Sequence, residues 1–532
     1  MRLAARGAWR RDEAVGLCWA LGLALFTALS FLLYLAQWSG VRAILAALTV
    51  TLVVVAFGAR TLASARRTDS TRESGAGEPA NGVERDWREA IIVMAGLGLA
   101  IVQVAYSGLL AARAPFAAWD AWSFWALKAR MFALGGPPRG YFHDPLTLYT
   151  HPDYPLNLPL AAAALFRIHG QLGVVLAALL GPACFGALLL LLYAGLTRLY
   201  GRATAALAVG ALSFVPALPV QAASGNADAP LAMYTGAATL YLLLWWRLRR
   251  PADALLMGLL AGGAVWTKRE GLPVAALLLV VYVMGEVVHA CESRRAGANS
   301  LAHGSPGSAG VAPVPGVHMR GSAISAGLVR RPSLSSAREG LGRAGRPRSQ
   351  SPVPGLPRAG ANSRASKLAW LRRIAGVSAA TVVVPLPWLL FCLIARPLGR
   401  DFLPFTPSVF LAHADRLPHI VALFLLQMLD FANWGLLWLL LAVLLVVAMR
   451  RLPRYGRGLL LLLLGQLGIY MVSFVFSDWQ PYTAHIQTSL DRLLLQAVPP
   501  ALLLLVAAIH TVGTGRVRLD RAIITTVSET AA

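Results

Sequence analysis

Charge is what this chain has least of. Of its 532 residues only 14% are Asp, Glu, Lys or Arg, where a soluble chain carries about 25%. Much of the polypeptide is therefore not built to face water. The charge present is also unbalanced, with 24 acidic residues against 48 Lys and Arg. Cysteine is scarce, and Cys18, Cys184, Cys291 and Cys392 show neither metal-ligand nor disulfide spacing. That argues against a disulfide framework and leaves the redox compartment unassigned. Period-two alternation is missing from the apolar runs. In lipid every backbone polar group must be paired internally, so such runs are helices or parts of a closed barrel. Runs near 20 residues without alternation select helices, the length that crosses about 30 Å of hydrocarbon.

The expected fold is thus all-α, a polytopic membrane bundle of about twelve transmembrane helices. They are placed near 14–36, 41–59, 89–112, 171–197, 203–222, 228–247, 253–268, 271–290, 370–395, 419–449, 457–476 and 491–513. The first run follows Arg2, Arg6, Arg10 and Arg11 and is too long for a signal-peptide core, so it reads as a retained anchor. A shorter piece, 156–168, reads as a re-entrant or interfacial helix, and part of 419–449 as a surface segment. Four regions follow: a bundle over 1–290 with an outer loop at 113–156, a linker over 291–369, helices over 370–513, and a tail over 514–532. The linker is rich in Pro, Gly, Ser, Ala and Arg, too poor in large apolar groups to offset its chain entropy, and is expected to be disordered. Its Arg residues could touch anionic lipid heads.

The excess of cation raises nucleic acid as a partner. Its distribution points elsewhere. With both termini inside and the spans alternating, most Lys and Arg fall on the inner side, the bias of proteins in a bacterial inner or plasma membrane. No nucleic-acid partner is expected. The outer loops gather a different set: Asp120, Asp144, Asp153, Asp228, Glu270, Asp401, Asp415, Asp478 and Asp491, with His143, His151, His413 and His485. Ionisable groups at membrane depth cost about 2.5–3.5 kcal/mol each at a helix centre and are functional by default.

Five stretches carry this chemistry. In WDAWSFWALKARMF, Asp120 and Lys128 lie within about 80° on a helical wheel and could share one cleft; an aromatic-belt helix capped by Asp120 is the alternative. In YFHDPLTLYTHPDYPLNLPL, Asp153 and Tyr154 follow His151 between prolines. Its HD and HPD pieces could bind a divalent metal, or form a rigid turn before a helix; no helix-spaced ligand pair supports the metal. Asp228 in SGNADAPLAMY reads as a helix cap with Pro230 in the first turn. Lys268, Arg269 and Glu270 in WTKREGLP form a charged hairpin that demands partners, and two cations there could hold a phosphate. In FSDWQPYTAHIQTSLDRLLLQAVPP, His485 and Arg492 approach the last span, and Arg492 at a helix start opposes the helix dipole, which an anionic ligand would rationalise.

In order along one membrane face, WDAWSFWALKA, HPDYPLNLP, GNADAPLA, WTKREG and HIQTSLDRLLLQAVP resemble the GT-C-type glycosyltransferases. These are polytopic enzymes that use polyprenyl-phosphate sugars, among them the lipid A aminoarabinose transferases, protein O-mannosyltransferases and rhizobial lipopolysaccharide galacturonosyltransferases. The resemblance spans most of 90–290 and 370–510. It implies a polyprenyl-phosphate sugar donor, a glycan, lipid or protein acceptor, contact with membrane lipid, and Asp120 as the catalytic acid of the first loop. Many relatives carry an acidic pair where this chain has Asp-Ala, which leaves the metal requirement open and Asp153 as a possible second carboxylate. The implied mechanism has Asp120 as general base and Lys128, Lys268, Arg269 and Arg492 clamping the phosphate. Asp153, Tyr154, Glu270 and His485 complete the substrate-binding set. A transporter or flippase is the rival, disfavoured by the rarity of charges within the spans; a polymer ligase is another.

Overall fold

The computed structural model describes residues 11–38, 40–55, 87–138, 140–302, 361–399 and 401–530. The chain divides into two compact units, residues 1–287 with 371–532, and residues 288–370. The packing and the site described below belong to the first. Among the described residues there are helices and one isolated bridge, Phe402 with Ser477, and no longer strand.

Among the described residues seven helices are long and apolar enough to cross a membrane, or up to nine if each of two bent pairs is one span. The seven are Asp12–Leu35, Trp87–Arg113, Asn157–Ala178, Leu180–Tyr200, Gly271–Glu292, Arg454–Val475 and Tyr482–Gly513. Val41–Val55 and Pro251–Thr267 are shorter apolar helices. Several of the expected spans take another form, each for a local reason. The expected span at 419–449 is broken into Leu417–Met428, Phe431–Trp434 and Leu437–Ala448. Asp430 caps the middle piece through the Ala432 amide, and Gly435 ends it at φ 55°. The 203–222 and 370–395 runs each bend by 65°, the second where Pro385 and Pro387 remove backbone donors and restrict φ. The expected span at 171–197 is Leu180–Tyr200, because residues 171–178 complete the preceding helix. That helix reverses at Gly170 (φ 54°, ψ −123°), and Gly173 packs back onto the Leu165 carbonyl with no room for a Cβ. Of the linker, 291–302 and 361–369 are helical, continuing Gly271–Ala302 and opening Ala361–Val383; residues 303–360 lie outside the described ones.

The helix Asp228–Leu248 forms the centre of the bundle. Every residue from Asp228 to Trp245 is buried, against Pro251–Thr267, Leu180–Tyr200 and Tyr482–Thr530. A helix hydrophobic all round and enclosed by other helices is what its continuous apolar sequence requires. Close approach elsewhere depends on small residues, the usual means of packing helices where no hydrophobic driving force separates protein from lipid. At the crossing of Trp87–Arg113 and Arg202–Ser213, a Cβ on Gly96 would lie 2.3 Å from the Ala206 carbonyl oxygen, and one on Gly210 3.0 Å from Gly96 Cα. Gly98, two residues on, meets nothing within 4 Å. Gly96→Leu is therefore expected to lower the unfolding midpoint in detergent by the equivalent of about 1–3 kcal/mol, while Gly98→Leu leaves it unchanged or slightly raised. Equal midpoints for the two variants would remove this contact from the packing.

Candidate active site

The segments singled out in the sequence come together. One cavity of about 1380 Å³ is lined by residues of the first long loop, of the 265–273 turn, of 388–405 and of 469–493. Asp120, Asp153, Tyr154, Lys268, Arg269, Glu270, His485 and Arg492 all line it. Lys128 does not.

The site is built from charge pairs that join distant parts of the chain. Lys268 follows Pro251–Thr267 in extended conformation (φ −155°, ψ 155°), which turns its side chain inward. Its Nζ lies 2.8 Å from Asp228 Oδ1 and 2.9 Å from Glu270 Oε1. Burial opposes the Lys268 charge, but the two carboxylates outweigh it and hold the ammonium above its ordinary value. Asp228 is 1% exposed and also accepts from Gln496 Nε2 at 3.0 Å. It caps nothing: the cap position is Ala227, and the Asp228 carboxylate is spent on Lys268 and Gln496. The capping expectation fails because a buried carboxylate gains more from an ammonium than from a backbone amide.

Arg269 turns the other way and donates to Asp153 Oδ2 at 2.5 Å. Its guanidinium lies 5.9 Å from the centres of both the Tyr154 and the Phe402 ring, within cation–π range of each. Burial pushes the Asp153 carboxyl up, with Arg269, His151 and Lys128 working against it.

Asp120 and Arg492 form a third pair. Asp120 makes no side-chain cap, and the residues after it, Ala121–Ala126, form a π-helical turn. Such turns are rare and recur at functional sites. The Ser123 hydroxyl donates back to the Trp119 carbonyl at 2.7 Å. Arg492 does not start a helix, as the sequence implied; the last helix begins at Tyr482, so no exposed dipole end acts on Arg492 and its partner is Asp120.

The π-turn also explains Lys128. A wheel drawn for an ordinary helix loses its phase across Ala121–Ala126. Lys128 is 1% exposed, donates to the His151 carbonyl at 2.6 Å, and lies 5.5 Å and 5.6 Å from the Trp125 and Tyr154 ring centres. Burial pushes its ammonium down to about 7, against the charge of Asp153. It supports the wall from behind and does not share the Asp120 cleft.

Asp401 was among the outer acids but was not singled out as a site residue. Its Oδ2 is 3.1 Å from His151 Nδ1, and Trp479 Nε1 donates to its Oδ1 at 3.4 Å. Burial would raise the Asp401 carboxyl, but the His151 contact prevails and holds it below its ordinary value. Nothing in RDFLPF marks this role; only the partner does. His485 stacks on Trp479 with centroids 4.8 Å apart, and its Nδ1 is 2.9 Å from the Ser477 hydroxyl. Asp144 of the HD piece caps the short helix Pro145–Thr150 through the Leu146 amide. Among the described residues no group of three or more His, Cys, Asp or Glu side chains is arranged to hold a metal ion.

Residues 153–296 match the family model described as dolichyl-phosphate-mannose-protein mannosyltransferase. The match contains Asp153, Tyr154, Asp228 and the Lys268–Glu270 turn, and supports a membrane glycosyltransferase of the GT-C type. No curated protein and no solved structure matches the chain.

The Lys268 cluster yields a stability prediction. Removing one member of a buried ion pair leaves an uncompensated charge and costs about 3–5 kcal/mol. Lys268→Met is expected to lower the yield and melting temperature of detergent-purified protein steeply, and Lys268→Met with Asp228→Asn to regain part of the loss. Strictly additive losses in this double-mutant cycle would show that the two side chains are not coupled.

Proposed function

We propose that this chain transfers a sugar from a polyprenyl phosphate to an acceptor hydroxyl of a cell-envelope glycan, lipid or protein, at the outer face of the membrane and with inversion. The observation that carries the reading is the convergence of the ionisable residues of four chain segments on one cavity, at the end of the bundle where the first long loop and the WTKREG turn meet. The family match over 153–296 supports it.

In this reading Asp120 is the general base. It withdraws the acceptor proton as the acceptor oxygen attacks the anomeric carbon. The bond from that carbon to the phosphate oxygen breaks, and polyprenyl phosphate leaves with the electron pair. The phosphate already leaves as a stabilised anion, so cations matter more than a proton donor. Lys268 is held between two carboxylates, and Lys128 lies behind the wall. The clamp therefore falls to Arg492 and Arg269, each with one carboxylate partner and part of its side chain open to the cavity. Arg492 stands between base and phosphate. When the donor takes a share of its donors, Asp120 becomes freer to accept a proton.

Asp120→Asn keeps the size of the side chain and removes the base. With purified protein and a polyprenyl-phosphate sugar, transfer is expected to fall by about 10²–10⁴-fold, with donor binding retained. Undiminished transfer by this variant would take Asp120 out of the mechanism.

A further inference from the structure

His151 lines the cavity with 13% of its side chain exposed, and neither the base nor the clamp uses it. Its backbone is left-handed (φ 51°, ψ 68°), an uncommon conformation for any residue but glycine and one that clusters at functional sites. Lys128 Nζ holds it there through the His151 carbonyl at 2.6 Å. The ring sits against Phe124 and Tyr154, with centroids 4.4 Å and 4.6 Å away. The imidazole is thus fixed in place by the protein alone.

Its two nitrogens are not equivalent. Nδ1 is enclosed, with Asp401 Oδ2 at 3.1 Å, an ion-pair approach rather than a linear hydrogen bond. An ionised carboxylate there favours hydrogen on Nδ1. Nε2 is not enclosed and has no partner among the described residues. With Nδ1 carrying hydrogen in both states, Nε2 presents a lone pair when the ring is neutral and an N–H when it is cationic. The first repels an anion and the second donates to it. Two carboxylates, Asp401 and Asp153, favour the cation; Lys128, Arg269 and His485 oppose it. The same Tyr154 ring that His151 packs on lies 5.9 Å from the Arg269 guanidinium, which places His151 on the clamp side of the cavity.

We propose that His151 is a third ligand of the donor phosphate, donating from Nε2, and that Asp401 is the positioning residue that keeps the ring turned and charged. The proposal rests on the reading of the chain as a polyprenyl-phosphate-dependent transferase and adds pH control of donor binding to it. In the transfer step the anomeric carbon–oxygen bond breaks, the phosphate keeps the electron pair and its charge rises from one to two. The imidazolium meets that second charge with a charge-assisted hydrogen bond. It gives up no proton, and the acceptor's proton stays with Asp120. A histidine acting as base would work in its neutral form, so the two roles have opposite pH dependence.

The test measures binding of two lipids to the full-length protein in nanodiscs, from about pH 5.5 to about 8.5, where histidine changes charge. One is a polyprenyl methyl phosphate, a diester whose single charge is constant over this range; the other is the uncharged polyprenol. The diester is expected to lose about tenfold in affinity toward the upper end, and the polyprenol none. A diester affinity that stays flat or rises with pH relative to the polyprenol overturns the proposal, and this comparison needs no variant. His151→Asn keeps the left-handed backbone accessible and the carbonyl that Lys128 holds; it is expected to abolish the fall, whereas His485→Gln retains it. A fall that survives the first change, or is lost in the second, places the titrating group elsewhere and overturns the proposal. Asp401→Asn is expected to move the fall to lower pH, because the imidazolium loses an opposite charge; an unmoved midpoint removes Asp401 from its role. A diester that binds no better than the polyprenol at any pH defeats the transferase reading and this inference with it, a result distinct from tight binding without pH dependence.

Discussion

A single ammonium group organises the working end of this protein. Lys268 is buried at the mouth of a tight turn with a carboxylate on each side, Asp228 from the central helix and Glu270 from its own turn. An isolated charge in such a place would be expelled or neutralised; here the two acids make the buried charge the stable form. Gln496 joins the last helix to the same carboxylate, and Tyr470 donates to Gln496 at 2.7 Å. Three helices are thus indexed to one side chain. The position of the turn, and with it the opposite orientation of Arg269, follows from where that ammonium can be satisfied.

The other pairs repeat the principle over longer spans of chain. Arg492 reaches Asp120, Arg269 reaches Asp153, and His151 reaches Asp401. In each the partners lie on segments separated by more than a hundred residues. Burial makes each charge expensive alone and compatible with the fold only when joined, so closing the pairs brings the loops into one wall. Below the site, Arg198, Glu13 and Tyr241 make a comparable contact at the other end of the bundle, where Arg198 Nη1 is 2.7 Å from Glu13 Oε1. There it fastens the first helix to the central one.

The membrane class, the all-α fold and the segments that form the site were legible because they depend on composition and on local runs. Scarce charge and apolar stretches of fixed length need no partner to be read. The WDAWSF, HPDYP and WTKREG pieces stood out as ionisable groups with no local reason to be there. What was hidden is pairwise. Asp228 looked like a helix cap because its neighbours allow one, and only Lys268, forty residues on, draws it inward. Lys128 was placed in the cleft by a regular helical period that the π-turn at Ala121–Ala126 does not keep. Asp401 carried no local signal at all. The breaks within the expected spans were hidden for a similar reason: Gly170, Pro385 and Gly435 fix backbone directions that an apolar run of suitable length does not reveal.

The segment carrying Asp401 rests on the Asp153–Arg269 pair through a glycine. At Gly399 a Cβ would stand 2.5 Å from Asp153 Oδ2 and 3.5 Å from an Arg269 nitrogen. A methyl group there would press on the Asp153 carboxylate, so a bare backbone at this point lets the chain lie directly on the closed pair. The same stretch continues into the Phe402–Ser477 bridge and receives the Asp478 amide at the Asp401 carbonyl, so one bare position joins an ion pair on one wall of the cavity to the backbone of its far rim.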